Sequence, residues 1–516
     1  MARGAVAVTG AGVAALVAAL VLLPLGAVAL RAGAWPSLVP GDAQTLWFTL
    51  WQAVVSALLS CLLAVPVARA LARRRFAGRG ALITLMGAPF LLPVIVAVMG
   101  LIAVFGRSGL VNGLLAGLGV APVSIYGAQG VVLAHVFLNL PLAVRMVLQG
   151  WQSIPAERFR LAESLGFAPA QVALHLERPM LRAVLPGAFA VILVVCLTCF
   201  AVALTLGGGP KATTVELAIY QAVRFDFDLG RAAMLSGLQF ALCATIAVLA
   251  WRAVTPTSFG AGLGRAPVVQ ARGAGPLLAD VLAIGLAAGF LLLPLGAIVL
   301  RGLPGLAEVP VAVWAAAGRS VTVALISTAA TVAAALVLAL RVAQGGPGAL
   351  VLDGIALLPL ATSGLVLGTG LFLLVQPWAA PSDLALPVTV AANVALSLPF
   401  VYRLLLPEAR VLFADYGRLS DSLGLHGAAW LRLVAVPRLA RPLGFGAGLV
   451  AALSMGDLGV IALFASDQTA TLPLVVQRLM AAYRIDTAAA AALVLVAISF
   501  ALFWAFDAWG RWHAAT

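Results

Sequence analysis

The sequence predicts an all-α polytopic membrane protein, with about twelve transmembrane helices arranged as two parallel six-helix repeats. Three observations carry that prediction. Apolar residues make up 63% of the 516-residue chain and charged residues 9%, with a mean hydropathy of +1.12. Hydrophobic runs of membrane-crossing length therefore follow one another with little polar sequence between them. Lipid offers backbone groups no partners, which makes these Ala-, Leu- and Val-rich runs helices rather than strands. Finally, the stretch RLAESLGFAPAQVALHLERPML at 160–181 returns at 418–439 as RLSDSLGLHGAAWLRLVAVPRL. Of 22 positions, 8 are identical without a gap, and the offset of 258 residues is half the chain. Leu140, Pro141 and Arg145 fall opposite Leu398, Pro399 and Arg403 in the same register. Two copies of one unit joined head to tail are the simplest account.

In chain order, spans are expected at 5–30, 45–68, 81–105, 127–148, 184–206 and 232–251. The series repeats at 276–300, 320–340, 350–375, 387–406, 443–464 and 487–506. The first span follows Arg3 and contains Ala27-Val28-Ala29, which resembles a secretory cleavage pattern. Its apolar run is too long for a signal core and a matching span opens the second half, so it reads as a retained span. The fifth ends where Gly207-Gly208-Gly209-Pro210 stops a helix. After the sixth, residues 252–275 are rich in Gly, Pro, Ser and Thr and read as a linker. The expected domains are thus 1–255 and 276–516, with a cytoplasmic linker at 256–275.

Arginine distribution sets the orientation. With cytoplasmic termini, the inside segments hold 22 of the 31 Lys and Arg residues, among them Arg69, Arg73, Arg74, Arg75 and Arg79. That bias puts both copies of the repeated loop in the cytoplasm. The net charge of +13 is mostly this topological bias, and no basic patch interleaved with aromatics calls for nucleic acid. Six spans per half make the halves parallel repeats about an axis along the membrane normal.

Chemistry-bearing motifs are scarce. Cys196 and Cys199 have C-x-x-C spacing but lie in an expected span, where two small packing residues are the preferred reading. The four histidines form no ligand cluster, and no convergent acid, base, nucleophile or metal set supports an enzyme. A phosphate-binding loop needs a lysine after glycine. Lys211, the single lysine, follows Pro210 in a segment expected outside, so ATP chemistry must come from a partner.

Each repeated loop is about thirty residues of amphipathic sequence carrying both charge signs: Glu157, Arg158, Arg160 and Glu163 in one, Asp415, Arg418 and Asp421 in the other. We expect a short helix, a turn at Gly166 or Gly424, and a second helix leading to Pro179 or Pro437. Gap-free identity between the halves is more than solvated loops with local ion pairs, worth ~0.2 to 0.5 kcal/mol each, would require.

Both loops resemble the coupling motif of ABC importer permeases, which runs Glu-Ala-Ala, three residues, Gly, nine residues, Ile-x-Leu-Pro. Gly166 and Gly424, and Pro179 and Pro437, fall at that spacing. The sequence departs from it by having Arg160 and Arg418 at the leading glutamate, with Ala162, Glu163 and Asp421 following. WQAVVSALLS, LPVIVAVMGLIAVFGRSG, LAHVFLNLPLAVRMVLQ, LSMGDLGVIALF and above all 206–235 look like the fused permease of bacterial thiamine ABC transporters, a type I importer family. The resemblance implies import of thiamine and its phosphate esters from a periplasmic binding protein, driven by two copies of a cytoplasmic ATPase that uses ATP-Mg. No cofactor on this chain is implied. It also implies that each loop sits as a coupling helix on one ATPase subunit.

For the pathway, Asp457 stands inside an expected span, near Ser454, with Cys199 as its first-half counterpart. A carboxylate in lipid is costly and so a functional candidate. A counter-ion for cationic thiamine is one reading; an acid hydrogen-bonded beside a Gly-induced break is the preferred one. Small residues suggest sliding contacts, notably Gly364-x-x-x-Gly368 and Gly370. Glu216, Tyr220, Asp226, Asp228 and Arg484 lie on charged outer segments that by charge alone could equally be solvated loops; the resemblance implies that they receive a binding protein. Two competitors stay open. A ferric-iron importer permease would show more outer carboxylates or tyrosines. A proton-coupled carrier would need titratable groups along its path and no repeated loop.

Overall fold

The computed structural model describes residues 2–31, 40–86, 92–207, 209–253, 273–346 and 348–515. Among them every regular element is a helix, as lipid demands of a backbone. The first half runs α1 (Ala2–Arg31), α2 (Pro40–Arg73), α3 (Arg79–Leu85), α4 (Val94–Phe105), α5 (Leu110–Gly117), α6 (Ala128–Gln152), α7 (Ala156–Ser164), α8 (Pro169–Leu197), α9 (Phe200–Leu206), α10 (Val215–Arg224) and α11 (Leu229–Ala253). The second runs α12 (Ala274–Gly305), α13 (Val311–Ala343), α14 (Ala349–Leu357), α15 (Gly364–Val375), α16 (Ala385–Ser422), α17 (427–455), α18 (Gly459–Phe464), α19 (Leu472–Ala481) and α20 (Ile485–Ala515). Among the described residues, eleven helices are long and apolar enough to cross a membrane, and up to twelve if a pair bent by 97° is one span. The expected linker lies largely outside the described residues.

Four expected spans are broken. The one at 350–375 is the bent pair: Pro359 lacks an N–H, Leu358–Ala361 tightens to a 3-10 turn, and the Ser363 hydroxyl caps α15 by accepting from Val366 N at 3.1 Å. Its counterpart at 81–105 divides into α3, ending at Leu85, and α4, starting at Val94. The spans at 184–206 and 443–464 stop at Leu197 and Met455 and restart at Phe200 and Gly459. The span at 387–406 errs the other way, running on to Ser422. Pro155 separates α6 from α7 in the first half, and in the 258-residue register its place is taken by Phe413, which lets α16 continue.

The two halves exchange their first helices. Helix α1 packs against α13, α14, α15 and α16 of the second half, and α12 packs against α2 and α4 of the first. At each crossing a proline-bearing backbone rests on a glycine. A side chain on Gly370 would meet the Pro24 carbonyl oxygen at 2.4 Å, and one on Gly100 would meet that of Pro294 at 2.7 Å. Pro24 and Pro294 lie 270 residues apart in LLPLGA segments that the 258-residue register does not align, and Gly100 and Gly370 are separated by the same 270 residues. The twelve-residue difference falls at α5 and its following loop, closed by Asn112, whose amide donates to the carbonyls of Gly106 at 2.8 Å and Val123 at 2.9 Å. Of the small residues noted at 364–370, Gly370 makes the closest approach, whereas Gly364 has only ordinary contacts at 3.7 Å or more.

One apolar core draws on both halves, from Leu71, Ile95 and Phe137 to Leu365, Ile461 and Leu495. Buried hydroxyls repeat a tether across the duplication. Thr49 Oγ1 accepts from Val215 N at 2.9 Å, and Ser320 Oγ accepts from Leu472 N at 2.8 Å, fixing the start of α10 and of α19.

Candidate functional site

The repeated loops have the same backbone. Helix α7 ends with Gly166 at φ 68° and α16 with Gly424 at φ 66°, a left-handed conformation that glycine adopts without strain. The closing hydrogen bonds match: Phe167 N to Ala162 O and Leu425 N to Ser420 O, both at 2.9 Å, then Gly166 N to Glu163 O at 3.0 Å and Gly424 N to Asp421 O at 3.2 Å. Beyond the turn each second helix carries a π-helical turn, Ala173–Glu177 or Leu431–Ala435, just before Pro179 or Pro437. Sequence periodicity gave no sign of these turns.

The turn exposes leucines beside its charged residues. Leu161 is 59% exposed and Leu165 62%, and their counterparts Leu419 and Leu423 are 53% and 64% exposed. Arg160, Glu163, Pro179, Arg418, Asp421 and Pro437 are also exposed, whereas Ala162 is buried. Arg160 lies 3.8 Å from Glu157 and Asp421 3.8 Å from His426, exposed pairs of little consequence for stability. The loops differ in what anchors them. In the second, Trp430 stacks on Phe413 and donates to Ser420 Oγ at 3.1 Å. In the first, buried Glu177 holds Arg69 at 2.9 Å and Arg73 at 3.2 Å, tying the loop to α2. Glu177 was missed as a site residue, although its match to Ala435 in the aligned repeat marks it as an unpaired addition.

At mid-bundle the helix breaks meet across the halves. A side chain on Gly456, between α17 and α18, would meet Pro93 Cα, just before α4, at 3.3 Å. Ser454 and Cys199 stand at this level. Ser454 Oγ accepts from Asn393 Nδ2 at 2.7 Å, and its counterpart Cys196 faces Asn139 Nδ2 at 3.5 Å, so one position is held twice by an asparagine displaced by one helical turn. Asp457 lies in the break before α18, near the backbone N–H groups of Gly459, Val460 and Ile461, and its Oδ2 is buried without a hydrogen-bond partner. A cavity of about 780 Å³ between α2, α6 and α12 is lined by apolar side chains such as Leu63, Val136 and Phe290 and contains none of these groups.

The outer-segment residues divide. Asp226, Asp228 and Arg484 are exposed, and Tyr220 is half-buried against Phe200 and Phe225. Glu216 corrects the expectation: at 1% exposure it cannot touch a binding protein, because the short amphipathic α10 lies inward against α11 and α15. Arg231, at 2.8 Å from buried Asp42, ties α11 to the start of α2.

No known family model matches the chain. Individual relatives do. It is 38% identical to a thiamine transport system permease protein of Salmonella typhimurium, over 87% of this chain and 86% of the relative. The protein of the same description from Escherichia coli is 38% identical over 85% and 83%, and that of Haemophilus influenzae 33% identical over 85% and 83%.

Proposed function

The chain belongs to the family of thiamine transport system permease proteins, and from that premise we propose how its two repeated loops drive transport. It is the multi-pass inner-membrane permease of a thiamine ABC importer, and the ferric-iron alternative is not favoured. Its relatives are transport permeases, so its role is translocation rather than catalysis. In our reading each loop is a coupling helix seated in one of two cytoplasmic ATPase subunits, which bind and hydrolyse ATP-Mg. A periplasmic binding protein delivers thiamine or its phosphate esters to the opposite face, where Asp226, Asp228 and Arg484 are exposed.

The carrying observation is that both loops expose leucines at matching positions on matching backbones. Covering a leucine is worth roughly 2 kcal/mol, whereas an exposed ion pair contributes about 0.5 kcal/mol. A partner surface is therefore the better account of these loops than solvation. Arginine bias supports a cytoplasmic position for them and for both termini. Helix α16 would act as a single lever roughly 57 Å long, from 38 residues at 1.5 Å each. The first loop instead works through the break at Pro155. Closure of the ATPases on ATP would draw the loops together and turn the interface between residues 1–255 and 276–516 outward, in a switch between two packings.

The test is ATP-dependent uptake of labelled thiamine by vesicles holding the chain with its ATPase and binding protein, with and without Gly166→Pro plus Gly424→Pro. Uptake that needs ATP and is abolished by the paired change, with insertion normal, is expected. Uptake that survives the change removes the coupling assignment; uptake of ferric iron but not thiamine changes the cargo.

A further inference from the structure

Glu216 is the acid that the importer reading leaves without a use. It lies on α10, is 1% exposed, and neither carboxylate oxygen has a donor at full hydrogen-bonding geometry. Two side chains flank it, Gln239 of α11 and Ser363 of the second half. Gln239 is already committed. Its Nε2 donates to the Leu197 carbonyl at 2.9 Å, which fixes the amide orientation and leaves Oε1 buried without a donor. The Ser363 oxygen accepts from Val366 N, leaving its proton as one donor for the carboxyl. Further buried hydroxyls on the same helices, Ser236 and Thr369, have no partner. The nearby basic groups point elsewhere: Arg224, on the same helix, donates to the Ala465 carbonyl at 3.3 Å, and Arg231 pairs with Asp42 at 2.8 Å.

The result is a buried cluster rich in acceptors and short of positive charge, where α10 of the first half packs on α15 of the second. A buried carboxylate without a cation is costly, and the cost is relieved when positive charge arrives. A site on the interface is shut when the halves are packed and accessible when they part. Nothing of this is duplicated. If the start of α10 is matched to that of α19 through their shared hydroxyl tethers, Glu216 falls opposite Pro473, with Leu474 following. Among the described residues, Glu216 is the one acid with both carboxylate oxygens buried and without a hydrogen-bond partner.

We propose that Glu216 contacts substrate in the translocation path, its carboxylate receiving the positive charge of the cationic thiazolium ring while Gln239 Oε1 accepts from a substrate N–H. This rests on the thiamine-importer reading. The competing use, a tie between the halves, makes the opposite demands on a Gln variant, which keeps the shape and hydrogen bonding but loses the charge.

The experiment uses the chain assembled with its ATPase and binding protein in proteoliposomes, as wild type, Glu216→Gln and Glu216→Asp. Thiamine accumulated per ATP hydrolysed is measured. The detergent-solubilised permease–ATPase complex is also melted with and without thiamine, and with its neutral thiophene analogue 3-deazathiamine. We expect Glu216→Gln to lower transport per ATP by about tenfold or more, the loss of one charged contact. It should abolish stabilisation by thiamine and leave the unliganded melting temperature unchanged or higher; Glu216→Asp should recover part of both signals. Stabilisation by the neutral analogue equal to that by thiamine, or a Gln variant with wild-type transport, overturns the proposal. So does a Gln variant whose unliganded complex melts lower in step with its lost transport. If wild type itself accumulates no thiamine, the importer reading fails instead.

Discussion

Glu177 on the first repeated loop lies 2.9 Å from Arg69 on α2, and it is 6% exposed. Arg73, one turn further along α2, shares the same carboxylate at 3.2 Å. The second loop has Ala435 at this position and no such clamp. Under the proposed coupling, a push on the first loop would pass directly to α2, across a break that its own first helix cannot span rigidly. Glu177→Gln should remove about 1 to 2 kcal/mol of this tie. It should lower transport per ATP while ATP hydrolysis continues, whereas Ala435→Glu in the second loop should not compensate. Paired uptake and phosphate-release measurements distinguish the two.

The turn glycines give a graded test. Gly166→Ala and Gly424→Ala place a Cβ at positive φ, at a cost of about 1 kcal/mol each. There is open space around both, so strain rather than collision is being measured. Each single change should leave the chain inserted and transport reduced only several-fold. Proline in both, which forces φ to about −65°, should eliminate uptake.

Where the halves cross, collision replaces strain. Gly370→Ala would set a methyl group 2.4 Å from the Pro24 carbonyl oxygen, and Gly100→Ala one 2.7 Å from that of Pro294. Backbone cannot yield as a side-chain tip would, so each should lower stability by about 1 to 3 kcal/mol. Gly26→Ala, with nothing within 4 Å, is the control. Thermal unfolding of the detergent-solubilised complex reads all three, and equal melting of Gly370→Ala and Gly26→Ala would refute the tight crossing.

Asp457 separates cap from counter-ion. If its carboxylate serves the start of α18, Asp457→Asn should transport within about twofold of wild type, because Asn caps nearly as well as Asp. Asp457→Ala should then cost about 1 kcal/mol in stability. A large loss of uptake in the Asn variant, with stability intact, would return Asp457 to the substrate path.

The duplication, the helical class and the repeated loops were legible in sequence because each leaves a local record: hydropathy, or identity in one register. What escaped depends on partners remote in the chain. Glu216 sits among charges that look like a solvated outer segment, and only the inward seating of α10 against α15 shows it to be buried. The exchange of α1 and α12 escaped because its repeat follows a 270-residue register, offset by α5 from the 258-residue one. Broken spans read as continuous because hydropathy counts apolar residues without regard to direction; Pro359 was the one visible signal at the bent pair.

The exchanged first helices also bear on biogenesis. A ribosome makes α1 first and most of its seat, α13 to α16, in the second half of synthesis. Until then α11 is the main packing partner of α1 from its own half among the described residues. Helix α12 emerges into a bilayer where α2 and α4 already stand. Maturation is therefore not two successive rounds of one event: the earlier half stays incomplete until the later one closes over its opening helix. A nascent chain stalled near residue 310 should expose α1 to membrane quality-control proteases, whereas one stalled beyond 422 should shelter it.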